Sequence, residues 1–202
     1  MYNTHKRQDL LMAYDDIEVE IKLKADDTAT QAIKAKLLKN NPTQKHHIDT
    51  YFDKVQDSFL KTTPIREWLS VRQRGDKVII NYKYWYFDKN GNSTHCDEPE
   101  LVVENAEAAA RLLKPLGFEP LVTVNKHRTE ALINNFLVAV DEVEELGSFV
   151  EIEATKSYGS IQDTLNTLNA FAVELGLNIA DITHKGYPHL LLEHHLGHEL
   201  AQ

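Results

Sequence analysis

The chain has 202 residues, 42% of them hydrophobic and 26% charged, with a formal net charge of -9. That length suffices for a sizeable core in one domain, and the acidic balance argues against nucleic acid or an anionic membrane as the main partner. Cys96 is the single cysteine, which excludes an internal disulfide and a cysteine-built zinc site. No apolar run has the length of a membrane span or a signal-peptide core, so a cytoplasmic address is the expectation.

Residues 1–15 are mixed and mostly polar and read as an N-terminal extension. The first predicted strand then places Glu18, Glu20, Lys22 and Lys24 on one face and Ile17, Val19, Ile21 and Leu23 on the other. Charges buried without partners cost several kcal/mol each, so this face must meet water, a metal or a highly charged ligand. Asp26-Asp27-Thr28 supplies the cap of a helix whose stripe is Ile33, Leu37 and Leu38, ending near Asn40, Asn41 and Pro42.

Strands follow over 46–53 and 66–74, the latter with Ser70, Arg72 and Arg74 on one face. Gly75 and Asp76 turn the chain into a strand over 78–85, where Asn81 and Lys83 share a face. A strand over 96–103 groups Glu98, Glu100 and Val102. Asn105 caps a second helix, apolar at Ala109, Leu112, Leu113 and Leu116, which Pro115 ends early and Gly117 closes.

Lys126, Arg128 and Glu130 alternate on a strand over 121–130, joined through Asn134 and Asn135 to one over 137–143 that carries Asp141. After Gly147, Glu151 and Glu153 share a face of the next strand. Ser160 and Asp163 form the capping box of a third helix, apolar at Ile161, Leu165, Leu168, Phe171 and Leu175. The segment 182–192 is apolar enough to dock, and residues 193–202 read as a His-rich tail in which His194, His195 and His198 belong to a frayed terminus rather than a metal site.

About eight strands with short connections and two or three helices predict an α+β fold: one domain over 16–192, an antiparallel eight-stranded sheet closed into a barrel with helices packed outside. One strand with a charged face is ordinarily solvated, its ion pairs worth a few tenths of a kcal/mol. Charges recur here on the same-facing positions of six or seven strands, which predicts an inside-out barrel with a charged lumen. Paired carboxylates offer the hard oxygen ligands of magnesium or manganese, and arginines and lysines grip phosphate oxygens, so a triphosphate with a divalent ion is the ligand that needs both. Tyr51, Tyr84 and Trp85 stand open between base stacking and core packing.

The run from Glu18 to Lys22 also resembles the E-x-E-x-K signature of the CYTH, or triphosphate tunnel metalloenzyme, superfamily. The likeness continues in order through Asp49 to Asp53, Val71 to Arg74, Tyr82-Lys83, Glu98-x-Glu100, Leu116 to Phe118, Val124-x-Lys126-x-Arg128 and Asp141 to Glu153, and looks most like the class IV adenylyl cyclase branch. The resemblance implies an eight-stranded tunnel and either cyclisation of ATP to cyclic AMP and pyrophosphate or hydrolysis of ATP, thiamine triphosphate or tripolyphosphate. It implies a divalent metal, Mg2+ or Mn2+, on Glu18, Glu20, Asp141, Glu151 and Glu153. It implies phosphate binding by Lys22, Arg72, Lys83, Lys126 and Arg128, with Glu18, Glu20, Lys22, Lys83, Glu151 and Glu153 carrying the catalysis. The family's Leu-Arg-x-Arg is here Leu69-Ser-Val-Arg72, which puts Arg74 forward as the replacement arginine, and its Ser-Tyr is here Gly186-Tyr187, which puts Lys185 forward as a lid base. A homodimer is the expectation from the commonness of such assemblies. A third reading, a non-catalytic module that captures polyphosphate or a nucleotide, would need the bases but gain little from so many acids.

Overall fold

The computed structural model describes residues 17–197 and Leu200; the extension over 1–15 and His198 lie outside the described residues. Strands β1 (Ile17–Glu18) and β2 (Glu20–Ala25) lead into helix α1 (Asp27–Leu37), then β3 (Thr43–Lys54), β4 (Glu67–Arg74), β5 (Lys77–Phe87), β6 (Ser93–Asp97) and β7 (Glu100–Val103). Helix α2 (Ala106–Leu113), strands β8 (Phe118–Ile133), β9 (Phe136–Val143) and β10 (Gly147–Ala154), and helices α3 (Ile161–Glu174) and α4 (Tyr187–Leu196) complete the chain.

All the strand pairings are antiparallel, in the order β1-β6-β5-β4-β3-β8-β9-β10-β2, with β7 also on β5. The two ends of that order are one strand interrupted at Val19: β1 pairs with β6 (Glu18 opposite Cys96) and β2 with β10 (Glu20 opposite Glu153). This bends the sheet into a nearly closed barrel. β6 and β7 are likewise one strand, because both meet β5 in a single register, Tyr84 opposite Asp97 and Asn81 opposite Glu100. Pro99, without an N–H to give the ladder, falls at that break, and its carbonyl accepts from Tyr82 N–H at 3.2 Å. Eight strands therefore make the barrel, as the alternating pattern predicts.

The apolar faces point outward and are covered. Ile33 and Leu37 of α1 and Leu168 and Phe171 of α3 pack with Leu23, Val138, Val140, Val150 and Ile152, each side chain at most 5% exposed. Each such burial contributes roughly 1.5–3 kcal/mol. Asp26 caps α1, its Oδ1 accepting from Ala29 N–H at 2.7 Å, and the Ser160–Asp163 capping box starts α3. Leu38, expected in the stripe of α1, is 71% exposed, because the helix tightens to a 3₁₀ turn there before Asn41 takes a left-handed φ of 50°. On the opposite wall α2 lays Ala109 and Leu113 on Phe52, Leu69, Val71 and Val78.

A third apolar cluster sits inside one end of the barrel. Tyr51, Trp68, Val122, Val124 and Phe149 belong to lumen-facing rows, and Tyr187 and Leu191 of α4 pack into them. The C-terminal helix thus stoppers that end, and Glu193 to Leu196, read from the sequence as tail, are its last turn. Among the described residues, no helix is long and apolar enough to cross a membrane.

Candidate active site

Above the stopper the lumen is a cavity of about 490 Å³ walled mainly by charged side chains. The alternation that turns Ile21 and Leu23 outward turns Glu18, Glu20 and Lys22 inward, and the same holds for Arg72 and Arg74, Lys83, Glu98 and Glu100, Lys126 and Arg128, and Glu151 and Glu153. Ten of the twelve residues expected from sequence to bind metal or phosphate therefore line one cavity, Glu18, Glu20, Lys22, Arg72, Arg74, Lys83, Lys126, Arg128, Glu151 and Glu153, with Asp141 immediately behind them and Lys185 apart.

Opposite charges alternate around the wall and neutralise one another at close range. The Lys83 ammonium donates to Glu18 and Glu98, 2.7 Å from each. Burial opposes its charge, but those two carboxylates outweigh it and hold Lys83 well above the usual lysine value. Burial, partly opposed by Lys83 and reinforced by Glu20 and Glu98, pushes the Glu18 carboxyl well above the carboxylate range. Glu98 goes the other way: burial is outweighed by Lys83, the hydrogen bond with Glu18 and Arg72, which hold its carboxyl below the usual range. Arg72 donates to Glu98 at 2.9 Å and Glu100 at 3.3 Å, and its Nε donates to Ser70 Oγ at 3.2 Å, the position where the family carries its first arginine.

Glu20 and Glu153 are opposite neighbours on β2 and β10. Burial, with Glu20 beside it, pushes Glu153 up to about 7. Glu151 is engaged differently, since Arg128 donates to one of its oxygens and Lys22 lies 3.2 Å from the other. Those cations outweigh burial and hold Glu151 well below the carboxylate range.

Asp141, expected among the metal ligands, does not reach the cavity. It is fully buried and accepts from Lys126 Nζ at 2.7 Å, Arg128 Nε at 2.7 Å and Nη2 at 2.6 Å, and Tyr187 Oη at 2.9 Å. Its neighbour across the ladder is Phe149 of the apolar stopper, which is why alternation alone places it one layer too shallow. Lys185 is also elsewhere: its ammonium is held by Glu193 of α4 at 3.0 and 3.1 Å.

His47 went unremarked in the sequence, yet it lines the cavity at 2% exposure with both ring nitrogens unpartnered. Burial, with Arg74, Lys126 and Arg128 adding, pushes it down to about 3, so the imidazole is neutral. Arg74 Nε is buried and unpartnered beside it, and the two residues are opposite one another on β3 and β4. The signal was available: Lys45, His47, Asp49 and Tyr51 alternate on one face of β3.

The donor chemistry fits a hard divalent cation. Oxygens of Glu18 and Glu98 and the Cys96 sulfur lie within 4.8 Å of one another. The thiol contributes little to that set, because burial pushes its pKa up and its Sγ is 3.4 Å from Glu18 as a donor. The carboxylates of Glu18, Glu20, Glu98 and Glu153 remain, and the crowding that raises Glu18 and Glu153 is what a divalent cation would relieve.

A relative from Methanocaldococcus jannaschii, provisionally named adenylate cyclase MJ0240, is 30% identical over 175 residues, covering 85% of this chain and 96% of its own. The solved PH1819 protein from Pyrococcus horikoshii OT3 superposes with a TM-score of 0.74 at 28% identity, over 87% of this chain and 98% of its own. HpAC1 from Hippeastrum, a provisional adenylyl cyclase described as having a dominant triphosphatase activity, has a TM-score of 0.62 at 16% identity, over 91% of this chain and 97% of its own, a likeness of fold alone. The CYTH domain model matches residues 16–187, and the chain belongs to the CYTH domain family.

Proposed function

We propose that the chain is a divalent-metal-dependent enzyme acting on triphosphates, and that its reaction is cyclisation of ATP to cyclic AMP with release of pyrophosphate. The observation that carries the proposal is one charged cavity in which a cluster of crowded carboxylates faces a set of bases. The cyclase assignment leans on the name of the Methanocaldococcus relative.

In this reading Glu18, Glu20, Glu98 and Glu153 hold the metal, with Glu151 as a neighbour already engaged by Arg128 and Lys22. The bound ion would polarise the α-phosphorus and screen the charge of the attacking oxygen. Arg74, Lys126, Arg128 and Lys22 grip the β- and γ-phosphates and stabilise the charge that develops on pyrophosphate. His47, neutral and without a partner, donates an N–H to a phosphate oxygen beside Arg74. Asp141 and Tyr187 touch no substrate; they fix Lys126 and Arg128 from behind. The ribose 3′-hydroxyl oxygen then attacks the α-phosphorus, its proton passing to solvent, and the bond from that phosphorus to the bridging oxygen of pyrophosphate breaks.

Hydrolysis is the second reading, because the same grip on a triphosphate serves an attacking water, and the triphosphatase activity described for HpAC1 belongs to a protein of this fold. Purified protein incubated with ATP, thiamine triphosphate or tripolyphosphate and Mg2+ or Mn2+ separates them by product. Cyclic AMP and pyrophosphate, absent from a Glu18→Ala, Glu20→Ala variant, are the result expected. Orthophosphate without a cyclic product would move the assignment to hydrolysis, and no turnover with any substrate would leave a binding module.

A further inference from the structure

The first strand leaves β6 at Val19 and crosses to β10, so β2 and β6 diverge and the barrel wall carries a wedge-shaped seam. Residues 179–186 lie over it: Ile182 bridges to Leu23, and Thr183 N–H donates to the Lys22 carbonyl at 2.8 Å. Beneath that cover is a second cavity of about 460 Å³, which shares Glu20, Lys22, Trp85 and Gly186 with the charged lumen. Its size is that of a small-molecule site.

Its far wall differs in chemistry from the lumen. Leu165, Ile179 and Ile182 give it apolar surface, and Asn169 of α3 lines it with a side-chain oxygen that is buried and accepts no hydrogen bond. Buried acceptors without donors are rare in folded proteins and point to a missing partner. Asp88, His184 and Lys185 line the cavity as well, so the apolar surface and the Asn169 oxygen form one part of a mixed wall.

We propose that the seam cavity receives the organic group of the triphosphate: a planar heteroaromatic ring whose exocyclic amine donates to Asn169 Oδ1, while the phosphates enter the lumen past Lys22. This rests on the triphosphate reading above. Trp85, at the junction of the two cavities, offers a ring for stacking. Adenine in ATP and the aminopyrimidine of thiamine triphosphate share the required amine. Inosine triphosphate carries a carbonyl in its place, and tripolyphosphate carries no ring.

The test measures kcat/KM, and Kd by calorimetry, for those four compounds on the full chain and on two variants. The wild type is expected to prefer ATP or thiamine triphosphate, whichever is the source of the ring, over inosine triphosphate by about tenfold or more. Asn169→Leu should bring that preference close to one, chiefly through KM. Ala180→Trp, an exposed position on the cavity rim, should weaken ATP and inosine triphosphate together relative to tripolyphosphate. Tripolyphosphate binding with no preference for an amine, or Asn169→Leu shifting all four compounds alike, overturns the seam subsite and leaves the triphosphate reading standing. Failure of the wild type to bind even tripolyphosphate overturns both.

Discussion

Asp141→Asn separates a ligand from a positioning residue. The carboxylate is fully buried and, among the described residues, is the one anion in hydrogen-bond contact with Lys126, at 2.7 Å, whereas Arg128 keeps Glu151 as a second partner. Removing one member of a buried ion pair costs about 3–5 kcal/mol, and the remaining Glu151 contact argues for the lower end, about 3 kcal/mol. Lys126 and Arg128 outweigh burial and hold the Asp141 carboxyl below its usual value. Its contribution is therefore complete above the unfolded value of about 3.9 and is lost as pH falls through the lower folded value, so the difference between wild type and variant shrinks in acid. Urea unfolding at neutral pH measures the stability loss, and Mn2+ titration without triphosphate measures the metal site. The expected result is a lower midpoint at unchanged slope, weaker tripolyphosphate binding and Mn2+ affinity within twofold of wild type. A tenfold loss of Mn2+ affinity with stability intact would falsify the assignment of Asp141 to the layer behind the bases.

Three further outcomes are expected. Glu153→Gln should raise Tm at pH 8 without metal and change little at pH 5, because a carboxyl raised to about 7 destabilises the fold as pH rises from the unfolded value through 7; equal Tm values at pH 8 would contradict this. His47→Leu should raise stability by about 1 kcal/mol by removing unpartnered buried nitrogens, while tripolyphosphate Kd rises about tenfold; thermal melts and calorimetry read the two arms, and unchanged affinity would remove His47 from the phosphate site. Lys83→Met leaves Glu18 and Glu98 without their shared cation and should cost about 3 kcal/mol, recovered in part by millimolar Mn2+; a melt indifferent to the ion would speak against those carboxylates as its ligands.

The barrel and its charged lining were legible because a strand repeats every two residues and a charged face has few places to go. Glu18, Glu20 and Lys22 could be assigned inward from spacing alone, and so could Arg72 with Arg74 and Glu151 with Glu153. Depth along the barrel was not legible. Asp141 and Glu151 both belong to inward rows, yet one lies under the stopper and the other in the cavity, because what separates them is the packing of α4. Glu98 was grouped with the charged rows but not named as a ligand, and its place opposite Lys83 and Glu18 depends on pairings across three strands. The seam has no local signature, since it arises from where the first strand changes partners.

The stopper formed by α4 also sets the traffic of the molecule. With Tyr187 and Leu191 packed among Tyr51, Trp68 and Phe149, that end of the barrel is shut, so whatever enters the charged cavity comes from the opposite end or by way of the seam. A long phosphate polymer cannot be threaded straight along the barrel axis.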